Sequence, residues 1–445
     1  MADEQKNTTQ FSFRKYAWAQ FKKNKPAYYS IYILGFFAIL AIFAPIIAND
    51  KPLYIKYKGE TFWPAFSFDN KYVIKDPATG KEEILQLDIT EWKRLDYESV
   101  VWAPIPWSPG KADIPNSDYV KPGGDQKFID SKGDTIYMPG RFKHLLGTNA
   151  SGEDVFAGLI HGSRISLSIG FISMGIASII GLVLGSLAGY FGDHRLRTRR
   201  ARLWLTIAGI PIAWFYAFSL RSFTLKDAIA DSGFMFLVQL ILSIILFFAV
   251  VWLFSMIGKI LSRGSFLGKE VNVPVDSYIS RGIEILNSIP TLILILALAA
   301  IAKEPSIVYV MVIIGLTSWT GIARFTRAEL LKIRNMDYIQ AAKAMGFSEK
   351  RIIFGHALKN GLAPSLVSIA FGVASAILIE SSLSFLGIGV PPDTVTWGKL
   401  LFQGKEHFQA WWLVIFPGTA IFITVTVYNL IGEGLRDALD PKLKQ

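Results

Sequence analysis

Residues 338–365 read YIQAAKAMGFSEKRIIFGHALKNGLAPS. The stretch is polar and basic, and strongly apolar segments stand on both sides of it. Alanine, lysine, glutamine and methionine around residues 341–345 favour helix, and Gly346 supplies a stop or sharp turn. Ser348 is placed as an N-cap, with Arg351 where a capping box would want an acid. A second short helix over residues 349–358 carries Ile352, Ile353, His356 and Ala357 at helical spacing. Asn360 and Gly361 are natural terminators. The pattern predicts two short amphipathic helices at a bend on a membrane surface, with an apolar ridge to offer a partner.

The rest of the chain is built for a membrane. Of its 445 residues 51% are hydrophobic and only 18% charged, which is too apolar for a soluble protein of this size. The mean hydropathy is +0.37. The net charge of +11 is not a nucleic-acid signature, because the basic residues sit in short clusters between apolar runs. There is no cysteine, which excludes disulfides, thiol chemistry and cysteine-ligated metals. Five scattered histidines argue against a metal site.

Taken in order, residues 1–30 read as a cytoplasmic amphipathic segment, with Arg14, Lys15, Lys22 and Lys23 interleaved with Tyr16, Trp18 and Phe21. Residues 31–48 are the first spanning candidate. The long leader before it and Pro45 argue for an uncleaved anchor rather than a signal peptide. Residues 49–164 are polar and are expected outside the cytoplasm, with short strands at 54–57 and 72–75 and irregular structure around Pro104, Pro106, Pro109, Pro115 and Pro122. Asp125, Asp130 and Asp134 do not match a calcium loop. Within this part, Val155, Phe156, Leu159 and Ile160 share one helical face, and His161 reads as a satisfied interface residue rather than a ligand.

Residues 165–191 form a glycine-rich span, with Gly170, Gly175, Gly181, Gly185 and Gly189 placed for close helix approach. The basic run HRLRTRRAR at residues 194–202 marks the cytoplasmic side. Two further spans are expected at 203–220 and 234–260, with Lys259, Arg263 and Lys269 after them. Spans at 276–302 and 307–322 come next, the former with Asn287, Ser288 and Pro290 at its entry, where a bend is tolerated if neighbours satisfy the backbone. A span at 365–385 carries Glu380, residues 387–409 read as a loop, and a last span covers 410–431. About eight crossings put both termini in the cytoplasm.

Several of these stretches resemble one family. Gln340-Ala341-Ala342, then Gly346, then a basic amphipathic helix, resembles the EAA loop of ABC importer permeases. Gln340 stands where the motif usually has glutamate, and Lys359 where it usually has proline. The GTNASGEDV and GSRIS patterns within residues 147–166 resemble the segment before the second span of oligopeptide and dipeptide permeases. SFLGIGVPPDTVTWGKLL at 384–401 and GEGLRDALDPKL at 432–443 resemble the last outer loop and the C-terminus of the second-type (C-type) subunit of peptide importers. PIIANDKP at 45–52, with KYKGETFWP after it, looks most like the microcin C/oligopeptide subgroup.

The resemblance implies an all-α polytopic membrane protein with a permease core and a small extracytoplasmic insert. The expected organisation is an N-terminal segment 1–30, a first helix 31–48, an extracytoplasmic segment 49–164 and a span 165–191. An inserted helical pair with basic flanks at 194–275, absent from the family pattern, precedes a core at 276–431 and a cytoplasmic C-terminus at 432–445. The resemblance also implies a bacterial inner membrane, a homologous second permease, two cytoplasmic ATPase domains and an extracytoplasmic solute-binding protein. ATP and magnesium belong to the partner, since no G-x-x-x-x-G-K-[ST] phosphate cradle occurs in this chain. No catalytic or metal-ligating set is expected, and no cofactor is bound by the chain itself. The coupling residues it implies are Gln340, Ala341, Ala342, Lys343, Gly346, Phe347, Lys350, Arg351, Ile353 and His356, with Phe347 and Ile353 filling a groove on the ATPase. Glu380 is read either as a pathway acid or as a helix-interface hydrogen-bonding group. The rival classes are a gradient-driven secondary transporter working through Glu380 and a non-transport membrane scaffold.

Overall fold

The computed structural model describes residues 13–67, 71–75, 82–130, 133–231, 233–262, 267–301 and 305–439. The first twelve residues of the N-terminal segment, Arg263, Ala302 and residues 440–443 of the C-terminal motif lie outside them. The chain divides into two compact units. One comprises Met1–Val183, Ile285–Thr326 and Phe354–Gln445, the other Leu184–Glu284 and Arg327–Ile353.

In the first unit, helix α1 (Phe13–Lys23) is followed directly by α2 (Lys25–Ile47). The junction is capped by Asn24, whose side-chain oxygen accepts from the Ala27 amide at 3.2 Å. The Asn24 amide also donates to Asp437 at 2.9 Å. That residue lies near the end of α14 (Trp412–Leu439), and Phe21, Ala27 and Ala438 share a buried cluster. The first and last helices therefore meet, and the two ends of the described chain lie on the same side.

A polar domain separates α2 from the long helix α3 (Val155–Phe191). Its strand β1 (Tyr54–Tyr57) pairs antiparallel with β2 (Glu60–Phe62) and with β5 (Ser99–Val101), Ile55 lying opposite both Phe62 and Val100. Two further hairpins are β3 (Lys71–Lys75) with β4 (Glu82–Gln86) and β6 (Lys127–Ile129) with β7 (Thr135–Tyr137). The domain has its own core, in which Ile55, Ile74, Leu85, Leu87, Trp92 and Trp102 are buried together. Backbone bonds from Asn49 to Ile105 and from Ile105 to Ile47 anchor it on the end of α2. The His161 ring bonds the Ala48 carbonyl at 2.9 Å, so its polar edge is satisfied.

The membrane core of this unit joins α3, α8 (Thr291–Ile301), α9 (Ile307–Ile333) and α12 (Ala363–Phe385). Ile169, Met174, Ile295, Ile314, Ile322 and Ile377 form its buried centre. A Cβ at Gly170 would meet Val373 at 2.9 Å, and one at Gly181 would meet Ile322 at 2.7 Å. Only glycine lets these helices approach so closely. Gly175 faces open space.

In the second unit, α4 (Arg200–Trp214) runs into a wide helical turn at Phe215–Ser219 and is followed by α5 (Ser222–Asp231) and α6 (Gly233–Leu261). Helices α4 and α6 pack side by side, with Gly209 against Phe254. Strand β8 (Arg197–Arg199) pairs with β9 (Glu270–Asn272), which closes the base of this helical pair.

Among the described residues, seven helices are long and apolar enough to cross a membrane, and eight if one broken pair is counted as a span. That pair is α7 (Val275–Ser288) and α8, interrupted at Ile289 and Pro290 within the span expected at 276–302, at the entry where a proline bend is tolerated. Proline cannot supply the backbone N–H that the helix needs there. The expected loop at 387–409 contains a helix as well, α13 (Trp397–Glu406), whose N-cap Thr396 accepts from the Lys399 amide at 3.1 Å. The chain is thus a polytopic membrane protein with an all-helical membrane part.

Candidate functional site

The stretch 338–365 begins with α10 (Asp337–Ala344), which has Asp337 in its positively polarised first turn. The helix ends in a Schellman turn. The Gly346 amide donates to Lys343 at 2.9 Å and the Phe347 amide to Ala342 at 3.1 Å. Gly346 has φ +77°, a left-handed conformation that costs a side-chain-bearing residue about 1–2 kcal/mol. The chain resumes at Glu349 and passes through a wide helical turn at Arg351–Ala357 into the short helix α11 (Leu358–Gly361).

Around this bend the second unit is tied together by polar links. The Tyr190 hydroxyl donates to the Glu349 carboxylate, joining the end of α3 to the segment after the bend. Lys343 is half-buried with its ammonium 5.0 Å from the Tyr190 ring centre. Burial holds the Lys343 amine below its usual range, and neighbouring Arg195 adds to this. Arg327 grips Asp276 through two bonds, one of them 2.7 Å, and so ties the end of α9 to the start of α7. Arg334 donates to the Gly189 carbonyl at 3.3 Å. The Gln340 amide donates to the Arg334 carbonyl at 3.2 Å.

The ten expected coupling residues do not all face outward. Gln340, Ala341, Gly346, Lys350 and Arg351 are exposed, and Phe347 is half-buried beneath the Arg351 guanidinium, 4.2 Å from its ring centre. Ala342 and Ile353 are buried. Ile353 therefore cannot fill a partner's groove as expected: the wide turn at Arg351–Ala357 rotates it inward. Met345, not singled out from sequence, is 64% exposed at the tip of the bend. Its position beside the helix-stopping glycine was the available signal. His356 is half-buried and belongs to the first unit rather than the second.

Glu380 is fully buried in α12. Its carboxylate accepts from Ser384 at 2.7 Å and from Ser381 at 3.4 Å, and also bonds Thr396. Thr396 is the cap of α13, so the carboxylate ties the last turns of α12 to the start of the helix after it. Gly398 lies so close that a Cβ there would meet Ser384 at 2.6 Å. Trp397 donates to the Leu159 carbonyl at 2.9 Å, pinning α13 to α3 as well. The partners of Glu380 are thus hydroxyl groups that hold the fold together. Among the described residues, no three His, Asp or Glu side chains converge as metal ligands.

Helices that can span a bilayer, small residues where they cross and a polar basic bend between two spans define a multi-pass membrane transport subunit. Residues 260–445 match the family described as binding-protein-dependent transport system inner membrane component, and residues 12–64 match the N-terminal TM domain of oligopeptide transport permease C. The chain is 31% identical over 306 residues to the di/tripeptide transport system permease protein DppC of Pseudomonas aeruginosa, covering 68% of this chain and 74% of that one. It is 30% identical to the dipeptide transport system permease protein DppC of Alkalihalophilus pseudofirmus, covering 68% and 73%. It is 28% identical over 427 residues to the inner membrane ABC transporter permease protein YejE of Escherichia coli, covering 95% and 96%. The chain belongs to the binding-protein-dependent ABC transport permeases, and is a permease subunit of an importer in the inner membrane.

Proposed function

We propose that this subunit imports peptides or peptide-like solutes with a second, homologous permease, and that the Gly346 bend receives the push of a separate ATPase. The observation that carries the reading is the bend itself. An exposed basic surface of Lys350 and Arg351, with Met345 at its tip, is held by a Schellman turn and by links from Glu349 to Tyr190 at the end of α3 and from Gln340 to the Arg334 carbonyl just after α9. The likeness to peptide and dipeptide permeases supports the solute class.

In this reading two cytoplasmic ATPase domains bind ATP and magnesium, and their closure moves the segment from Gly346 onward. Tyr190 and Glu349, Arg327 and Asp276 then pass the displacement to the ends of the helices they join. Both termini lie in the cytoplasm with the bend. The polar domain lies outside, where a solute-binding protein docks and lipid surrounds the spans. The inserted pair α4–α6 does not alter the topology of the later spans, since two crossings return the chain to the same side. Purification of tagged chain in mild detergent from its native membrane tests the assembly. A Walker-containing ATPase and a second related permease are the expected companions. Recovery of the chain alone, stably folded, would overturn the reading.

A further inference from the structure

Helices α4 and α6 are apolar on every side except at one charged end. After Arg202, α4 carries no charged residue, and α6 carries none before Lys259. Their backbones meet where a Cβ at Gly258 would touch the Arg202 Cα at 2.6 Å, and where Gly209 lies against Phe254. The surface turned away from this contact is exposed and apolar, with Trp204, Ile210, Phe248 and Trp252 on it. With the turn Phe215–Ser219 added to α4, both helices have the length and hydropathy of a membrane span. Hydrocarbon is therefore the solvent of that surface.

The charged end is a fixed array of cations. The Arg200 and Ala201 amides donate to the Lys269 and Leu267 carbonyls at 3.0 and 3.1 Å, which locks the start of α4 to the β8–β9 ribbon. Arg197 and Arg199 share one face of that ribbon, since side chains two apart on a strand point the same way. The Arg199 guanidinium donates to the Ser262 hydroxyl at 3.2 Å and to its carbonyl at 3.3 Å, so this face turns toward the end of α6. Arg202 donates from Nε to the Ser255 hydroxyl at 2.8 Å. Lys259 stands exposed at the same end of α6. These hydroxyl and carbonyl partners are neutral, so they orient the arginines without cancelling their charge. The acid on this face of the ribbon is Glu270, opposite Arg199. Arg197, Arg199, Arg202 and Lys259 thus outnumber it and leave the end of the pair positive. Trp204 is 65% exposed two residues past Arg202, where a tryptophan marks the boundary between membrane and water.

We propose that this end of the α4–α6 pair binds the headgroup of an anionic phospholipid, with the phosphate on Arg197, Arg202 and Lys259 and the acyl chains along the apolar faces of α4 and α6. A soluble phosphate satisfies the cations alone, and a neutral lipid satisfies the apolar faces alone. An anionic amphiphile satisfies both at once, and cations clustered directly beside a span favour such lipids. The site lies wholly within the inserted pair and its ribbon. It uses no residue of the coupling bend, so its failure is separate from any failure of transport.

Native mass spectrometry of the full-length chain in a neutral detergent tests this with dioleoyl phosphatidylglycerol, dioleoyl phosphatidylcholine and glycerol phosphate. Phosphatidylglycerol should bind at least about tenfold more tightly than phosphatidylcholine, since each basic residue at a membrane surface is worth roughly fivefold in affinity for anionic lipid. Arg197→Gln combined with Arg202→Gln should remove most of that preference, while unchanged phosphatidylcholine binding reports an intact fold. Arg197→Lys combined with Arg202→Lys should retain it. Glycerol phosphate should fail to displace phosphatidylglycerol; displacement would show that a soluble anion suffices and would overturn the lipid assignment. Equal affinity of the unaltered chain for the two lipids would overturn the proposal and leave the cations to a protein partner. So would a preference that persists in the folded double glutamine variant.

Discussion

The side-chain amide of Gln340 donates to the backbone carbonyl of Arg334, closing the exposed end of the segment that comes after α9. A carboxylate cannot make this bond, and its charge would face a carbonyl-rich helix terminus. Gln340→Glu should therefore lower stability by about 0.5–1.5 kcal/mol, the net worth of one hydrogen bond. Gln340→Met, which removes the donor without adding charge, should cost less. Thermal unfolding of the purified variants decides this. A glutamate variant as stable as the parent would show that the bond contributes nothing.

Gly346 has room for a Cβ, since nothing lies within 4 Å of that position, but its backbone is left-handed. Gly346→Ala should cost about 1–2 kcal/mol through backbone strain alone. Gly346→Pro is worse, because proline fixes φ near −65° and removes the amide that bonds Lys343. In the coupling account, Gly346→Pro and Phe347→Asp abolish uptake while leaving membrane insertion intact. Normal uptake by either variant would detach the bend from energy coupling.

Glu380 separates a structural carboxylate from a transport acid. Ser384, Ser381 and Thr396 surround it, and Thr396 caps α13. Glu380→Ala leaves buried hydroxyls unpaired beside a void and should cost about 2–4 kcal/mol. Glu380→Gln keeps a carbonyl acceptor for the hydroxyls and should retain uptake within about twofold, a free-energy change below 1 kcal/mol. Loss of uptake in a well-folded Glu380→Gln protein would favour a gradient-driven mechanism through this residue.

The buried His144 gives the polar domain a pH dependence. Burial opposes its protonation, but the hydrogen bonds and charges of Asp113 and Asp154 outweigh it and raise the pKa above 6.5. A group raised on folding contributes stability that is fully present below the unfolded value and is lost as pH rises through the folded value. Lys93 works in the opposite sense, since burial pushes its amine well below the usual range. The comparison of the parent with His144→Gln isolates the histidine. The penalty of the substitution, read from thermal unfolding, should be larger at pH 6 than at pH 8.5. An equal penalty at both would mean that His144 is neutral in the folded protein.

Hydropathy made the membrane part legible because long apolar helices write themselves into composition, and α2, α6 and α12 lie where the apolar runs are. The helix stop at Gly346 was legible for a local reason, since only glycine adopts that φ without strain. Strands β1 and β3 stand at the two alternating runs of the polar domain. Ile353 was misplaced because a wide turn changes the helical period, so spacing that predicts an outward face at 3.6 residues per turn points inward instead. Helix α13 was hidden by its short length and by Pro391 and Pro392 before it. The Lys93–Trp107–His144 stack was invisible because its members are far apart in sequence and meet only through the fold of an irregular segment.

The central claim is that the segment after Gly346 touches an ATPase. The chain has no cysteine, so Lys350→Cys creates a single thiol on the exposed side of the bend. Cross-linking from that thiol in native membranes, with the product identified by mass spectrometry, tests the contact directly. The account predicts a product containing a Walker-motif ATPase, with a yield that changes when ATP is bound. A labelled, reactive thiol that never captures an ATPase in any nucleotide state would contradict it.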